Sequence, residues 1–416
     1  MNSSFDKVPL EISDMIIDSV AQDDDGKCTN LKNCSMACKG FLPRCRKHIF
    51  TSIEVTTRNL VRFVELVDNS PRIALCIRSL SFFVDLDAFN KIPSISLQYI
   101  TNIRLLSVQV ACGEEESMWT RVNPPVRSAV LRLMCLPTLS ALGLCCITGI
   151  PPSCFVSCHN LECYVHAVEF GYDEYDTPVT ISPSATSKST NAIKLRRLVL
   201  VGYVDNLIST YQRGKMIGRP LFDLSGLEQV TFHLSDLEQF LNIDQLLYDS
   251  HNLETVQICM ENISMLNCIE SFVGIFLPSL KNLHIHISSL SLISSGVDTI
   301  SLLCQQIQTI AHDNVIQYLS LNLLADHNLG LRLEEFQWDA FDQVLLAPNQ
   351  WLSLEQFDLW VYVNYSAEHP VDKPAFEKLV ENVRASKISN LISNKLFKFR
   401  AFFDPDPQDH YTYFGA

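Results

Sequence analysis

Glycine and positive charge are both in short supply. Only 14 of the 416 residues are glycine. None of them builds the G-x-G-x-x-G or G-x-x-x-x-G-K-[ST] loops whose backbone N–H groups cradle phosphates. That absence weighs against a nucleotide-binding doubly wound sheet, the rival fold for a chain of alternating strands and helices. There is likewise no G-x-S-x-G elbow and no H-E-x-x-H pair, so serine-hydrolase and zinc-peptidase chemistry have no recognisable scaffold. The expectation is a protein that is not an enzyme. Lys and Arg number 32 against 46 Asp and Glu, for a net charge of -14. Such a chain repels phosphate backbones and anionic lipid, so neither nucleic acid nor membrane is expected as a partner.

The N-terminus, MNSSFDKVPLEISD, lacks a basic start followed by an apolar core, so no secretory signal is read there. An intracellular location follows as the expectation, cytoplasmic and/or nuclear. The 15 cysteines are then expected to be free thiols acting as small apolar residues. One group, Cys154, Cys158, His159, Cys163 and His166, has metal-like composition. Its spacing fits no zinc signature, so it is expected to be core packing, with no metal and no cofactor. Cys145-Cys146 is read the same way. Asp23-Asp24-Asp25-Gly26 lacks the alternating ligands of a calcium loop and reads as a solvated acidic turn. Residues 133 to 158 carry no charge and are long enough to span a bilayer. Pro137, Gly143, Gly149 and Pro151-Pro152 interrupt them, so a buried strand and turn is expected instead.

Hydrophobic residues make up 47% of the chain, ample for a core. At the N-terminus, Pro9 suits the start of a helix and Glu11 its first turn. Ile12, Met15, Ile16 and Val20, with Ile17 widening the stripe, form one apolar face. Thr29 is placed to cap a second helix, with Leu31, Cys34, Cys38 and Phe41 on one side. Leu42-Pro43 opens a third, with Arg44, Arg46, Lys47 and His48 expected to be exposed and Ile49 and Phe50 inward. Three short helices bury this much apolar surface poorly alone, so a docking module is expected.

The strings VPLEISDMIIDSV and LKNCSMACKGFLPRCRKHIF resemble the F-box, in the version common in fungal proteins. Pro9, Leu10, Glu11, Ile12, Ile16, Ile17, Leu31, Cys34, Ser35, Cys38, Lys39 and Phe41 carry the match. Val8, Ala37 and Phe41 stand where the family more often has Leu, Val and Trp. The resemblance covers roughly residues 5 to 55, and a weaker likeness runs through NLVRFVELVDNSPRIALCIRSLSF. It implies a three-helix F-box (1–55) that binds a Skp-type adaptor, and through it a cullin. The implied contacts are Pro9, Leu10, Ile12, Ile16, Leu31, Cys34 and Phe41.

Residues 56 to 416 read as alternating helices and short strands. Asn59 to Val67 is helical, Asn69-Ser70-Pro71 turns, and Ile77 to Phe83 is a strand. Strand kernels of alternating apolar residues begin at Leu198, Val230, Val256, Leu283, Leu319, Phe357 and Phe397. Lead-ins such as SGLEQV, HNLETV and PSLKNL often precede them. Helices are expected between, for instance Asp236 to Asp249 and Ala375 to Ala385. The kernels recur at 26 to 40 residues, which resembles an irregular leucine-rich-repeat solenoid with insertions. Tyr172 to Asn191 is a polar insertion, and the tail from Asp404 is irregular. The fold class is thus α/β: an F-box followed by a leucine-rich-repeat-like solenoid.

Alternation turns the kernel's middle residues away from the core. His233, Gln257, His284, His286, Asn322, Trp360, Tyr362, Lys398 and Arg400 are therefore expected to face outward. Of these, His284, His286, Trp360, Tyr362 and Arg400 are the candidates for contact with an unknown protein target. The function expected is that of a target-recruiting subunit of a cullin-type ubiquitin ligase. The alternative is a repeat scaffold acting outside any ligase.

Overall fold

A computed structural model describes residues 9–23, 28–111, 117–155, 158, 160–170, 192–202, 204–216, 220–234, 243, 245–260, 265, 269, 273, 278–288, 299–312, 314–325, 333–347, 350–364 and 373–404. The chain is mixed α/β. It divides into two compact units, one of residues 1–193 with 216–221, the other of 194–215 with 222–416. The acidic residues Asp24 and Asp25, His159, the insertion at 172–191, most of Asp236 to Asp249 and the tail beyond 404 lie outside the described residues.

The first unit begins with helices α1 (Leu10–Gln22), α2 (Thr29–Ala37) and α3 (Leu42–Ile49). Ile17, Leu31, Phe41 and Cys45 form their shared core, with Val20, Ala21, Cys28, Cys34, Cys38 and Ile49 packed against it. Thr29 is the first helical residue rather than the cap. Cys28 holds the cap position at φ 55° and offers no side-chain cap bond. Arg44 and His48 are not the free surface residues the pattern suggests. Arg44 Nε donates to Asp18 Oδ1 at 2.6 Å, its Nη2 reaches the other oxygen, and His48 Nε2 lies 2.7 Å from Oδ1. These bonds clasp α3 to α1, and the Arg44 guanidinium holds the Asp18 carboxyl well below the usual carboxylate range. Alternation of charge alone could not reveal this, because the partners lie in different helices.

Parallel strands follow: β1 (Ser52–Thr56), β2 (Ser79–Asp85), β3 (Leu105–Ala111), β5 (Ala141–Ile150) and β6 (Cys163–Phe170), with the short β4 (Ser117–Met118) beside β5. Helices fill the crossovers: α4 (Leu60–Asn69), α5 (Pro71–Ala74), α6 (Leu86–Asn90), α7 (Ser94–Leu97) and α8 (Pro124–Met134). In α4, Leu60, Phe63 and Val67 turn inward at helical spacing, and Phe63 meets Phe82 edge to face at 6.2 Å. The uncharged run 133–158 becomes the end of α8, strand β5 and a 3-10 turn at Pro152–Phe155. Among the described residues, no helix is long and apolar enough to cross a membrane.

The second unit repeats the scheme. The strands are β8 (Arg197–Val201), β10 (Gln229–Leu234), β11 (Thr255–Met260), β12 (Asn282–Ile287), β13 (Tyr318–Ala325), β14 (Gln356–Asn364) and β15 (Phe397–Asp404), parallel and in chain order. The two-residue strands β7 (Ile193–Lys194) and β9 (Phe222–Asp223) stand apart from this sheet. The described helices include α9 (Val204–Met216), α10 (Thr299–Thr309), α11 (Asp339–Leu345), α12 (Lys373–Ser386) and α13 (Ser389–Ile392). All seven sequence kernels are strands, and they pair in one register. Leu198, Val230, Val256, Leu283, Leu319, Phe357 and Phe397 form one row. Leu200, Phe232, Ile258, Ile285, Leu321, Leu359 and Phe399 form the next. Both rows are buried.

A backbone device repeats at the start of β2, β3, β5, β6 and β10 to β14. One carbonyl accepts two successive N–H groups of the next strand. Glu228 O takes Glu254 N and Thr255 N at 2.9 and 3.0 Å, and Glu254 O takes Lys281 N and Asn282 N, both at 2.9 Å. Lys281 and Gln317 continue the series, and Thr51, Arg78, Arg104 and Ser140 do the same in the first unit. A buried apolar residue precedes the first five kernels by three positions, Leu195, Leu227, Leu253, Leu280 and Ile316, and Ile77, Ile103, Leu139 and Leu161 stand likewise in the first unit. This is the physical basis of the lead-ins seen in the sequence.

Phe232 lies in mid-row with no exposed surface. Phe232→Ala is therefore expected to cost about 3–5 kcal/mol, whereas the exposed Lys398→Ala should cost no more than about 0.5 kcal/mol. Chemical denaturation of the two variants checks this. Equal, small losses would mean that the aligned row is not the core.

Candidate functional site

Two surfaces gather the residues singled out in the sequence, one in each unit. On the first, the helix α1 is only partly engaged by its own module. Ile17 points into the core, while Leu10 (65%), Ile12 (48%), Met15 (67%) and Ile16 (47%) are exposed. Pro9 is exposed too and immediately precedes the first helical turn. The stripe read from spacing thus splits: Ile17 and the partly buried Val20 serve the core, while Ile12, Met15 and Ile16 face solvent. Met36 on α2 is 78% exposed. It was not among the expected contacts, although its position opposite Leu31 and Cys34 on the helical wheel could have indicated it.

The remaining expected contacts occupy a different place. Leu31 and Phe41 are 2% and 8% exposed and belong to the core of the three helices, and Cys34 packs against it. They are corrected from surface contacts to supports: small helices must bury some of their apolar residues to hold together at all. The surface and its supports are adjacent in chain and complementary in role.

The second surface is the face of β8 to β15 opposite the buried rows. Alternation is as read, but exposure is not. Gln257, His286 and Asp358 are buried, and His233, His284, Asn322, Trp360 and Tyr362 are partly buried. Of the nine residues expected outward, only Lys398 and Arg400 are exposed. The reason is lateral. Interior strands have neighbours about 4.8 Å away on both sides, so in-register side chains cover one another. Within this unit β15 pairs with β14 alone.

The chemistry of this face centres on Asp358. Tyr318 Oη donates to its Oδ2 at 2.7 Å, and Gln356 Nε2 donates to both its oxygens at 2.9 Å. Burial, reinforced by Asp358, pushes the Tyr318 hydroxyl up to about 12, so it stays a donor. The His284 ring packs on the Tyr318 ring at 5.1 Å. Trp360 and Tyr362 stack 14° from parallel at 6.4 Å, and the Arg400 guanidinium lies 5.0 Å over Trp360. Tyr318, Gln356 and Asp358 were not foreseen. Tyr318 shares a face with Ser320 by strand period, but a bond to the neighbouring strand needs the register.

The described members of the metal-like group, Cys154, Cys158, Cys163 and His166, lie in β6 and the turn before it. His166 stands in the inward row of β6 beside Leu144 and lies 3.0 Å from the Tyr164 hydroxyl. Cys158 is buried with its thiol toward the Cys154 carbonyl. Among the described residues no group of three or more His, Cys, Asp or Glu side chains could hold a metal ion. Cys146 is exposed at φ 57°, where the β5–β6 register shifts, so it is not the packing residue expected. No protein-family model matches the chain, and no curated protein matches it either.

The histidines predict a pH response. Burial lowers His233 from 6.5 to about 4, and lowers His284 as well. The folded state thus binds protons less readily than the unfolded chain. Stability is full above about 6.5 and falls as pH drops from there toward 4. His233→Gln with His284→Gln should flatten that decline in a thermal-melt series. An unchanged slope would show that these rings do not report on folding.

Proposed function

We propose that this chain is a target-recruiting subunit of a cullin-type ubiquitin ligase. Residues 9–50 dock on a Skp-type adaptor, and a leucine-rich-repeat-like solenoid built from the parallel strands holds a protein target. The observation that carries the reading is α1. The three-helix module closes a core of its own from Ile17, Leu31, Phe41 and Cys45, yet leaves Leu10, Ile12, Met15 and Ile16 in solvent. Large apolar side chains clustered on one small helix are costly to hydrate and mark a surface meant to be covered. Pro9, Leu10, Ile12 and Ile16 are the contacts, while Leu31, Cys34 and Phe41 act from inside by fixing α2 and α3 against α1.

The in-register kernels and their repeated backbone turns support the solenoid half of the proposal, since stacked strand units share one continuous core. Free cysteines throughout the described residues support an intracellular, reducing setting, cytoplasmic or nuclear. In this reading the chemistry of ubiquitin transfer belongs to other subunits.

The test is co-purification of the full chain with a Skp-type adaptor. Wild type should capture it. Ile12→Glu with Ile16→Glu should reduce capture at least about tenfold, as charge placed in an apolar contact does. Pro9→Ala with Leu10→Ala should weaken it. Both pairs are solvent-exposed, so circular dichroism should be unchanged. Equal capture by wild type and the glutamate variant would refute the assignment of α1.

A further inference from the structure

We infer that the face of β14 and β15 around Arg400 receives an extended, carboxylate-rich segment of the target polypeptide. The inference rests on the reading that the strand body holds a target, and it names the chemistry of that target. The chain as a whole carries a net charge of -14, yet this patch presents two cations. Lys398 and Arg400 are exposed, two residues apart on β15, and so on one face of the strand. Among the described residues neither forms an ion pair.

The carboxylate best placed to neutralise them is diverted. Asp358 is the register partner of Lys398, but its oxygens are occupied by the Tyr318 hydroxyl and the Gln356 amide. It is buried, and Lys398 is not. Arg400 is meanwhile held in place. Its guanidinium lies 5.0 Å over the Trp360 ring, which stacks on Tyr362. A guanidinium seated on an aromatic plane loses little further freedom when a ligand arrives, and its edge N–H groups remain able to grip a carboxylate in two-point fashion. Same-face residues on a strand recur at about 7 Å, the spacing of alternate side chains in an extended peptide. An acidic segment with carboxylates at alternate positions can therefore meet Lys398 and Arg400 together.

The experiment is fluorescence anisotropy of the full chain with a fluorescein-labelled peptide of alternating Glu and Thr. The same peptide with Gln for Glu, and one with phosphoserine for Glu, are the controls. Wild type should bind the glutamate peptide, more weakly as salt rises, and should not bind the glutamine peptide. Lys398→Glu with Arg400→Glu should weaken binding at least about tenfold, and Trp360→Ala should weaken it less. Both reversed charges are exposed, so an unchanged melting curve is expected and is measured alongside. Equal binding by wild type and the double variant overturns the inference. So does equal binding of the glutamine peptide, binding of the phosphoserine peptide alone, or no binding at all. The titration needs no adaptor. Its failure leaves adaptor capture standing, and failed capture with intact peptide binding strikes the ligase reading instead.

Discussion

The repeated turn in which one carbonyl receives two N–H groups of the next strand sets the register on which everything else depends. A one-residue slip would send every side chain to the opposite face. With the register held, Phe232 meets Leu200 and Ile258 in one buried row, and Asp358 stands beside Ser320 on the other face. The same constraint therefore builds the core and composes the outer surface. It also explains why that surface is more buried than alternation alone suggests. Neighbours in register shield one another, and β15 escapes because within its unit it has one neighbour.

The N-terminal helices solve a different problem. Their core is small, and a polar clasp supplements it: Asp18 on α1 gathers Arg44 and His48 from α3. With Ile17 and Val20 spent on the core, Ile12, Met15 and Ile16 of the α1 stripe are left over. Division of an apolar stripe between core and solvent is what a docking helix requires, and an ordinary packed helix would bury both parts. The adaptor-binding proposal grows from that division, with the resemblance to the F-box supplying the partner's chemistry.

Much of this was legible in the sequence. The kernels at Leu198 through Phe397 became strands because period-two alternation is a local signal. The α1 stripe and the α4 face were readable for the same reason at helical period. The interruptions in 133–158 correctly pointed away from a long helix. What escaped were contacts between segments far apart in the chain. Arg44 with Asp18 and Tyr318 with Asp358 depend on which helix or strand lies alongside. Burial of Leu31, Phe41, His286 and Gln257 depends on neighbours that alternation does not name. The first-unit strands β3 and β5 carry the same period-two kernel in Leu106-Ser107-Val108 and Leu142-Gly143-Leu144, whereas β6 breaks it by placing His166 in the inward row.

The central claim is that the exposed face of α1 is covered by an adaptor. Hydrogen–deuterium exchange of the full chain, alone and with a saturating Skp-type adaptor, tests it most directly. The account predicts new protection concentrated in residues 10–22 and around Met36, with β13 to β15 unchanged. Protection confined to the strand body, or none anywhere at saturation, would contradict it.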